Sequence, residues 1–313
     1  MCAMNRVGVL ILVVAAAVHA AATPQMTVKV GVELVNVQFS VTDRRGQFVT
    51  GLEKKDFLIE EDGRKQDIQF FSRDELPLTI GLLVDTSPSV RPTFEQERAA
   101  AVRFISRVLR PHDLALVMEF EKSVTLTQDF TDDTRLLTRA LDDMRVGPIR
   151  NGGTSMYDAV YLASREKLKE EAGRKAIILV SDGDDTTSKV DQEGAFVAAH
   201  ASDVVVYSIA IGGGVRPFRI RGPLARGTGD NGALRRISEE TGGSFFKIDN
   251  PKEFDGAFDK INEELRNQYS LAYVPLNQAR DGKYRRIHII SRDPAYRIQA
   301  RKGYYAPRHP PNQ

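Results

Sequence analysis

The chain has 313 residues, 42% apolar and 27% charged, an ordinary balance for folded soluble protein that excludes disorder, collagen and coiled-coil arrays. With 44 Lys+Arg against 42 Asp+Glu the formal net charge is +2. No chain-wide field therefore draws it to nucleic acid or acidic lipid, and any binding specificity must be local.

Residues 1–22 read as a secretory signal: a short n-region with Arg6, an apolar run over residues 7–18, and small residues at Ala20, Ala21 and Ala22. The run is too short to span a bilayer, which predicts no transmembrane span in the mature chain. The only cysteine, Cys2, lies ahead of the apolar run. A secreted, periplasmic or cell-envelope protein without disulfides or a cysteine zinc site is expected.

From Val28 the pattern alternates through Val30, Val32 and Leu34, slips phase, and resumes at Val35, Val37, Phe39 and Val41, a half-buried strand with a break. Phe57 and Ile59, then Ile68 and Phe70, flank Asp62-Gly63, which reads as the tight turn of one hairpin. Residues 28–77 are thus predicted to be all-β.

From Leu78 the texture changes to nearly continuous apolar runs at residues 78–84, 114–120, 176–180 and 204–211, the mark of strands buried on both faces of a parallel sheet. Amphipathic helices lie between them. Thr93 and Gln96 suggest a capping box ahead of Val102, Phe104, Ile105, Val108 and Leu109. Thr131, Asp132 and Asp133 open a second helix with Leu136, Leu137, Leu141 and Met144, and a third covers residues 155–171. Asn250-Pro251 starts the last, with Phe254, Phe258, Ile261 and Leu265 on one face. Residues 78–268 therefore form a doubly wound, mostly parallel α/β domain of Rossmann-like type.

After Gln268 the period returns to two through Tyr269, Leu271 and Tyr273, an Asp281-Gly282 turn, Ile287 and Ile289, and Tyr296, Ile298 and Ala300. Neither β segment is long enough for a sandwich alone, but residues 28–77 and 269–306 together approach the roughly 100 residues of an immunoglobulin-like one. The expected architecture is a discontinuous Ig-like β-sandwich interrupted by the α/β domain. Tyr304 and Tyr305 are assigned to its packing, and residues 307–313 to a disordered tail.

Ligands of open α/β sheets bind outside the carboxyl ends of the strands. There the first strand runs into Asp85-Thr86-Ser87-Pro88-Ser89, and the strand over residues 176–180 into Ser181-Asp182-Gly183-Asp184-Asp185. A glycine-rich loop, Asn151-Gly152-Gly153-Thr154-Ser155, precedes a helix. These loops offer only oxygen, the ligand set of Mg²⁺, with Ca²⁺ or Mn²⁺ as alternatives. Hydroxyls of Ser87, Ser89 and Thr154 would bind directly, while Asp85 and Asp182 lower the charge, one or both through water. A metal with so few anionic ligands would accept an Asp or Glu carboxylate from a protein partner. Asp184 and Asp185 are either outer supports of the metal or a solvated turn.

Asp85-x-Ser87-x-Ser89, Thr154 and Asp182 resemble the metal-ion-dependent adhesion site of von Willebrand factor type A domains, as in integrin I domains. The likeness covers residues 78–268. The flanks, including residues 41–57, Glu61-Asp62-Gly63, residues 239–243 and residues 281–307, are similar to the secreted VWFA-related domain proteins common in acidobacterial genomes. The resemblance implies secretion and metal-dependent protein binding.

Residues 212–226 carry Arg216, Arg219, Arg221 and Arg226 without an acidic residue, in a loop expected on the metal face. It is read either as a recruiting surface for an acidic partner or as a solvated insertion. Gly227-x-Gly229-x-x-Gly232 mimics a dinucleotide fingerprint but does not follow its strand directly. Taken alone, Thr154 would be a helix N-cap and Asp182-Gly183 an ordinary turn. The histidines lack metalloprotease spacing, and no Gly-x-Ser-x-Gly elbow or general base can be named. The expectation is a non-enzymatic adhesion or protein-binding module. The alternatives are a hydrolase using the same metal and a structural envelope protein whose ion only stabilises the fold.

Overall fold

The alternation of Val35, Val37, Phe39 and Val41 becomes β1 (Val35–Thr42), in which these four residues turn inward. This computed structural model describes residues 34–73, 76–149, 152–211 and 231–308. The expected signal, the strand residues before Leu34, all four arginines of residues 212–226 and residues 309–313 lie outside them. β2 (Phe57–Glu61) and β3 (Arg64–Gln66) form a hairpin whose Asp62 and Gly63 both have positive φ, 49° and 76°, as a type I′ turn requires. The expected second arm, Ile68 and Phe70, instead begins β4 (Ile68–Ser72), which leaves the hairpin and joins the opposite sheet.

The α/β part runs β5 (Leu78–Asp85), α1 (Phe94–Val108), β6 (Leu114–Phe120), β7 (Val124–Thr131), α2 (Thr134–Asp143), α3 (Met156–Leu162), β8 (Arg174–Ser181), α4 (Gln192–Ala201), β9 (Val204–Ile211), α5 (Gly232–Thr241), β10 (Phe245–Ile248) and α6 (Phe254–Arg266). Sheet order is β10-β9-β8-β5-β6-β7, parallel except for β7, which returns antiparallel beside β6. β5 and β9 are buried along their whole length, the physical reason that their sequences are continuous apolar runs. One face packs on α1, α2 and α6 through Phe104, Leu137, Phe258 and Ile261, and the other on α3, α4 and α5 through Val160, Phe196 and Leu234. The expected capping box at Thr93 is absent, because Thr93 sits at φ −118°, ψ −8° and its hydroxyl turns to Val90 and Glu97. Asp133 does cap α2, accepting from the Arg135 amide.

After α6 come β11 (Tyr269–Tyr273), β12 (Tyr284–Ser291), β13 (Arg297–Ala300) and β14 (Gly303–Tyr305). They pair with strands that precede the α/β part: Phe39 faces Tyr269 across β1 and β11, and Ile59 faces Ile289 across β2 and β12. Two four-stranded sheets result, β13-β1-β11-β4 and β14-β12-β2-β3, sharing one core in which Phe39 and Tyr269 stack at 5.5 Å. Both chain crossings lie at the amino end of the parallel sheet. The Arg174 amide donates to Pro77 O, and its guanidinium donates to Leu265 O and Gln268 O.

The described residues belong to one compact unit, and the joint between its parts is polar. Gln299 donates to Glu264 Oε1 at 2.8 Å, Arg301 pairs with Asp203 at 2.7 Å, and Tyr284 donates to Glu240 at 3.1 Å. Tyr304 does pack the two-sheet core and donates to Glu61, whereas Tyr305 turns to α4 and reaches Glu193. Pro307 and Arg308, assigned to the tail by the sequence, are held: Arg308 bridges to Asp281 and Pro307 O accepts from Gly282. Among the described residues no helix is long and apolar enough to cross a membrane.

Candidate metal centre

The chain traces β5, crosses to β6 on one side and later adds β8 on the other, so a crevice opens where the strand order reverses. Asp85 ends β5 in that crevice with no exposed surface. Its Oδ1 accepts from the Ser87 amide at 2.8 Å, and its Oδ2 from the Ser181 hydroxyl of β8 at 2.7 Å. The turn at Pro88–Val90 then brings Ser87 Oγ and Ser89 Oγ to 2.9 Å from each other. Ser87 is buried and Ser89 exposed, so the pair leads from the interior to the surface.

Thr154 is buried beside this turn. Its amide donates to Thr186 Oγ1 at 3.0 Å, and its carbonyl accepts from the Thr186 and Thr187 amides. Two glycines allow the approach. A Cβ on Gly152 would lie 3.0 Å from Pro88 Cγ, and one on Gly153 would lie 2.5 Å from Thr187 Cγ2. The three expected loops are thus in contact: Gly152 meets Pro88, and Thr154 meets the segment that follows Asp182. Asn151, expected at the start of the glycine loop, lies outside the described residues.

Asp182 is buried, and its Oδ1 accepts from the Asp184 amide at 3.2 Å. Gly183 turns the chain at φ +85°, a left-handed conformation that suits glycine. Asp185 is tied into the fold by its own hydrogen bonds. Its Oδ2 accepts from the Tyr157 amide at 3.0 Å and the Ser188 hydroxyl at 2.6 Å, so it supplies the side-chain cap of α3 that Ser155 does not.

The sequence did not single out Ser181 or Glu97. Ser181 had a signal in its place directly before Asp182. Glu97 had one too, since it is a charged residue on the buried stripe of Phe94, Ala101 and Phe104.

Electrostatically the crevice is acidic and uncompensated. Burial pushes the Asp85 carboxyl up to about 7, hydrogen bonds from Ser87 and Ser181 oppose the rise, and the charge of Asp182 adds to it. No Lys, Arg or His among the described residues pairs with Asp85 or Asp182. Among the described residues no group of three or more His, Cys, Asp or Glu is placed to hold a metal. A cation here would therefore rely on hydroxyl as well as carboxylate oxygen, which suits a hard divalent ion and not a thiolate- or imidazole-seeking one.

Fold and crevice together define a doubly wound α/β module with an oxygen-lined crevice at the carboxyl ends of its strands. The family model for the von Willebrand factor type A domain matches residues 79–261, and the chain belongs to that family. Domains of this family are mostly non-enzymatic adhesion or interaction modules. An uncharacterised protein of Borreliella burgdorferi is 24% identical over 210 residues, covering 62% of this chain. The chain spans 61% of that relative's length. Among solved structures, proximal thread matrix protein 1 from the mussel byssus, with a zinc-occupied MIDAS motif, is 16% identical with a TM-score of 0.51, covering 64% of this chain and 48% of that one. BatB from Bacteroides thetaiotaomicron is 20% identical with a TM-score of 0.46, covering 60% of this chain and 99% of that one. At these identities the likeness to solved structures is one of fold.

Proposed function

We propose that this chain is a secreted or envelope-located adhesion or protein-binding module that captures its partner through a divalent cation. In this reading Asp85, Ser87, Ser89, Thr154 and Asp182 hold the ion, Mg²⁺ in the first place and Ca²⁺ or Mn²⁺ as alternatives. The ion would supply an electrophilic position for an Asp or Glu carboxylate of a protein partner. The observation that carries the reading is Asp85, a fully buried carboxylate without a basic partner among the described residues, at the mouth of a hydroxyl-lined turn. The zinc-occupied MIDAS motif of the mussel protein supports metal binding in this fold. Asp184 keeps a place at the rim of the site through its amide on Asp182. Arg216, Arg219, Arg221 and Arg226 remain part of the proposal as a recruiting surface, tested by changing all four to serine and following the salt dependence of capture.

The chain's own residues perform the binding steps. Ser181 and the Ser87 amide orient Asp85, the Thr186–Thr187 backbone holds Thr154, and the glycines bring the loops together. We also read the two-sheet part as an Ig-like sandwich that holds the α/β domain away from the chain terminus.

The experiment is partner capture from the producing cell's envelope fraction with Mg²⁺ or EDTA, for the native chain and Asp85→Ala. Capture should require both the metal and Asp85 while far-UV circular dichroism stays unchanged. Capture that survives EDTA and the substitution would falsify the reading. If EDTA lowers thermal stability but leaves capture intact, the ion is structural instead.

A further inference from the structure

Next to the hydroxyl turn lies a buried carboxylate that neither the motif nor the fold explains. Glu97 lies in the first turn of α1, directly after the turn that carries Ser87 and Ser89, and is 1% exposed. Its Oε1 accepts from Thr93 Oγ1 at 2.5 Å, while its Oε2 has no hydrogen-bond partner among the described residues. Thr93 has a second acceptor within reach, Val90 O at 3.2 Å, and one hydroxyl proton serves one acceptor well at a time. Val90 in turn donates its amide to Ser87 O, so a short chain of contacts runs from Glu97 to the hydroxyl turn. No Lys, Arg or His among the described residues pairs with Glu97. Burial pushes its carboxyl up to about 8, the hydrogen bond from Thr93 opposes the rise, and the charges of Asp85 and Asp182 add to it.

As a core residue Glu97 makes little sense. It occupies the stripe of Phe94, Ala101 and Phe104, where an apolar side chain would fill the same space without burying a charge. A buried carboxylate with an unsatisfied oxygen, within electrostatic reach of Asp85 and Asp182 and paired with no cation among the described residues, is the arrangement that a bound metal would compensate.

We infer that Glu97 is a positioning residue for the ion site, a third carboxylate that does not touch the ion but adds its negative charge from the first turn of α1 and raises the affinity for a divalent cation. The inference rests on the proposed metal site and goes beyond its five residues. It also changes the character of that site: the two motif carboxylates are backed by a third, so the ion's charge is offset more fully than the motif alone suggests.

The test is Mn²⁺ binding to the whole chain, followed by electron paramagnetic resonance and calorimetry, for the native protein, Asp85→Ala, Glu97→Gln and Glu97→Met. Glu97→Gln keeps the shape and Glu97→Met keeps the volume, and neither carries charge. Both should weaken Mn²⁺ binding about 10- to 100-fold, the usual range for outer partners of a metal site. Their metal-free melting temperatures should equal or exceed that of the native chain, since a buried charge has gone. Native affinity in folded Glu97→Gln and Glu97→Met would make Glu97 an ordinary core residue and overturn the inference. So would failure of both variants to fold, which would make the carboxylate a requirement of the fold. If the native chain binds no Mn²⁺, the metal site itself fails and this role fails with it. Loss in Asp85→Ala but not in the Glu97 variants would leave the site standing and remove Glu97 from it.

Discussion

Ser181 at the end of β8 donates its hydroxyl to Oδ2 of Asp85 at the end of β5, 2.7 Å away, joining neighbouring parallel strands where the sheet reverses its order. The bond settles which way a buried carboxylate points. With the Ser87 amide on the other oxygen, both Asp85 oxygens are held before any ion arrives.

Ser181→Ala should therefore do more than remove one hydrogen bond. It leaves an oxygen of a fully buried carboxylate unpaired, at a cost of about 1–3 kcal/mol in the metal-free protein. Mn²⁺ binding should fall by about 10-fold or more, because the ligand is no longer aimed. Urea unfolding and a metal titration measure the two effects. Unchanged values in both would show that Asp85 is oriented by the loop alone.

Gly153→Ala should damage the site without unfolding the domain. The new Cβ would stand 2.5 Å from Thr187 Cγ2 and 2.9 Å from its Oγ1, so Thr187 must turn away. Turning breaks its 2.9 Å contact with the Ser155 hydroxyl and shifts the segment that holds Thr154. Metal affinity should drop several-fold, while stability changes by about 1 kcal/mol or less, since a threonine end can move. Adding Thr187→Ala should restore much of the affinity. A double variant no better than Gly153→Ala would point to the backbone instead.

Glu264 predicts a pH dependence at the joint between the two parts. Burial pushes its carboxyl up to about 7, against hydrogen bonds from Ser244 and Tyr207; Gln299 donates to its other oxygen, and the charge of Arg174 acts on Tyr207. A carboxyl whose folded pKa lies above its unfolded value near 4.5 stabilises the fold when protonated. That contribution is complete below about pH 4.5 and is lost as pH rises to 7. Glu264→Gln should flatten this part of the stability profile between pH 4.5 and 7.5. Parallel profiles for the two proteins in urea unfolding would reject the assignment.

Much of the α/β part was legible because its signals are local. Continuous apolar runs mark β5, β6, β8 and β9, since a strand buried on both faces has no polar side to show. β7 was missed because it is an edge strand, half exposed, without a strong alternation. β10 was missed because it has only four residues. The hairpin at Asp62-Gly63 was legible as a turn, but not the exit of β4 to the other sheet: turn chemistry specifies where a chain reverses and says nothing about which partner it meets next.

The candidate-site residues show the same division. Asp85, Ser87, Ser89, Thr154 and Asp182 announce themselves by residue type at loop positions after strands or before a helix. Ser181, Glu97 and Asp185 have roles set by what lies across the crevice: Ser181 reaches Asp85, Glu97 lies buried behind the hydroxyl turn, and Asp185 caps α3. The sequence by itself determined the periodicity of each segment, the loop chemistry and the near-neutral charge, all of which act over a few residues. Only the tertiary structure decided that β1 pairs with β11, that β8 lies against β5, and which carboxylates are buried. Those outcomes depend on packing between segments far apart in the chain, and a local pattern carries no information about its distant partner.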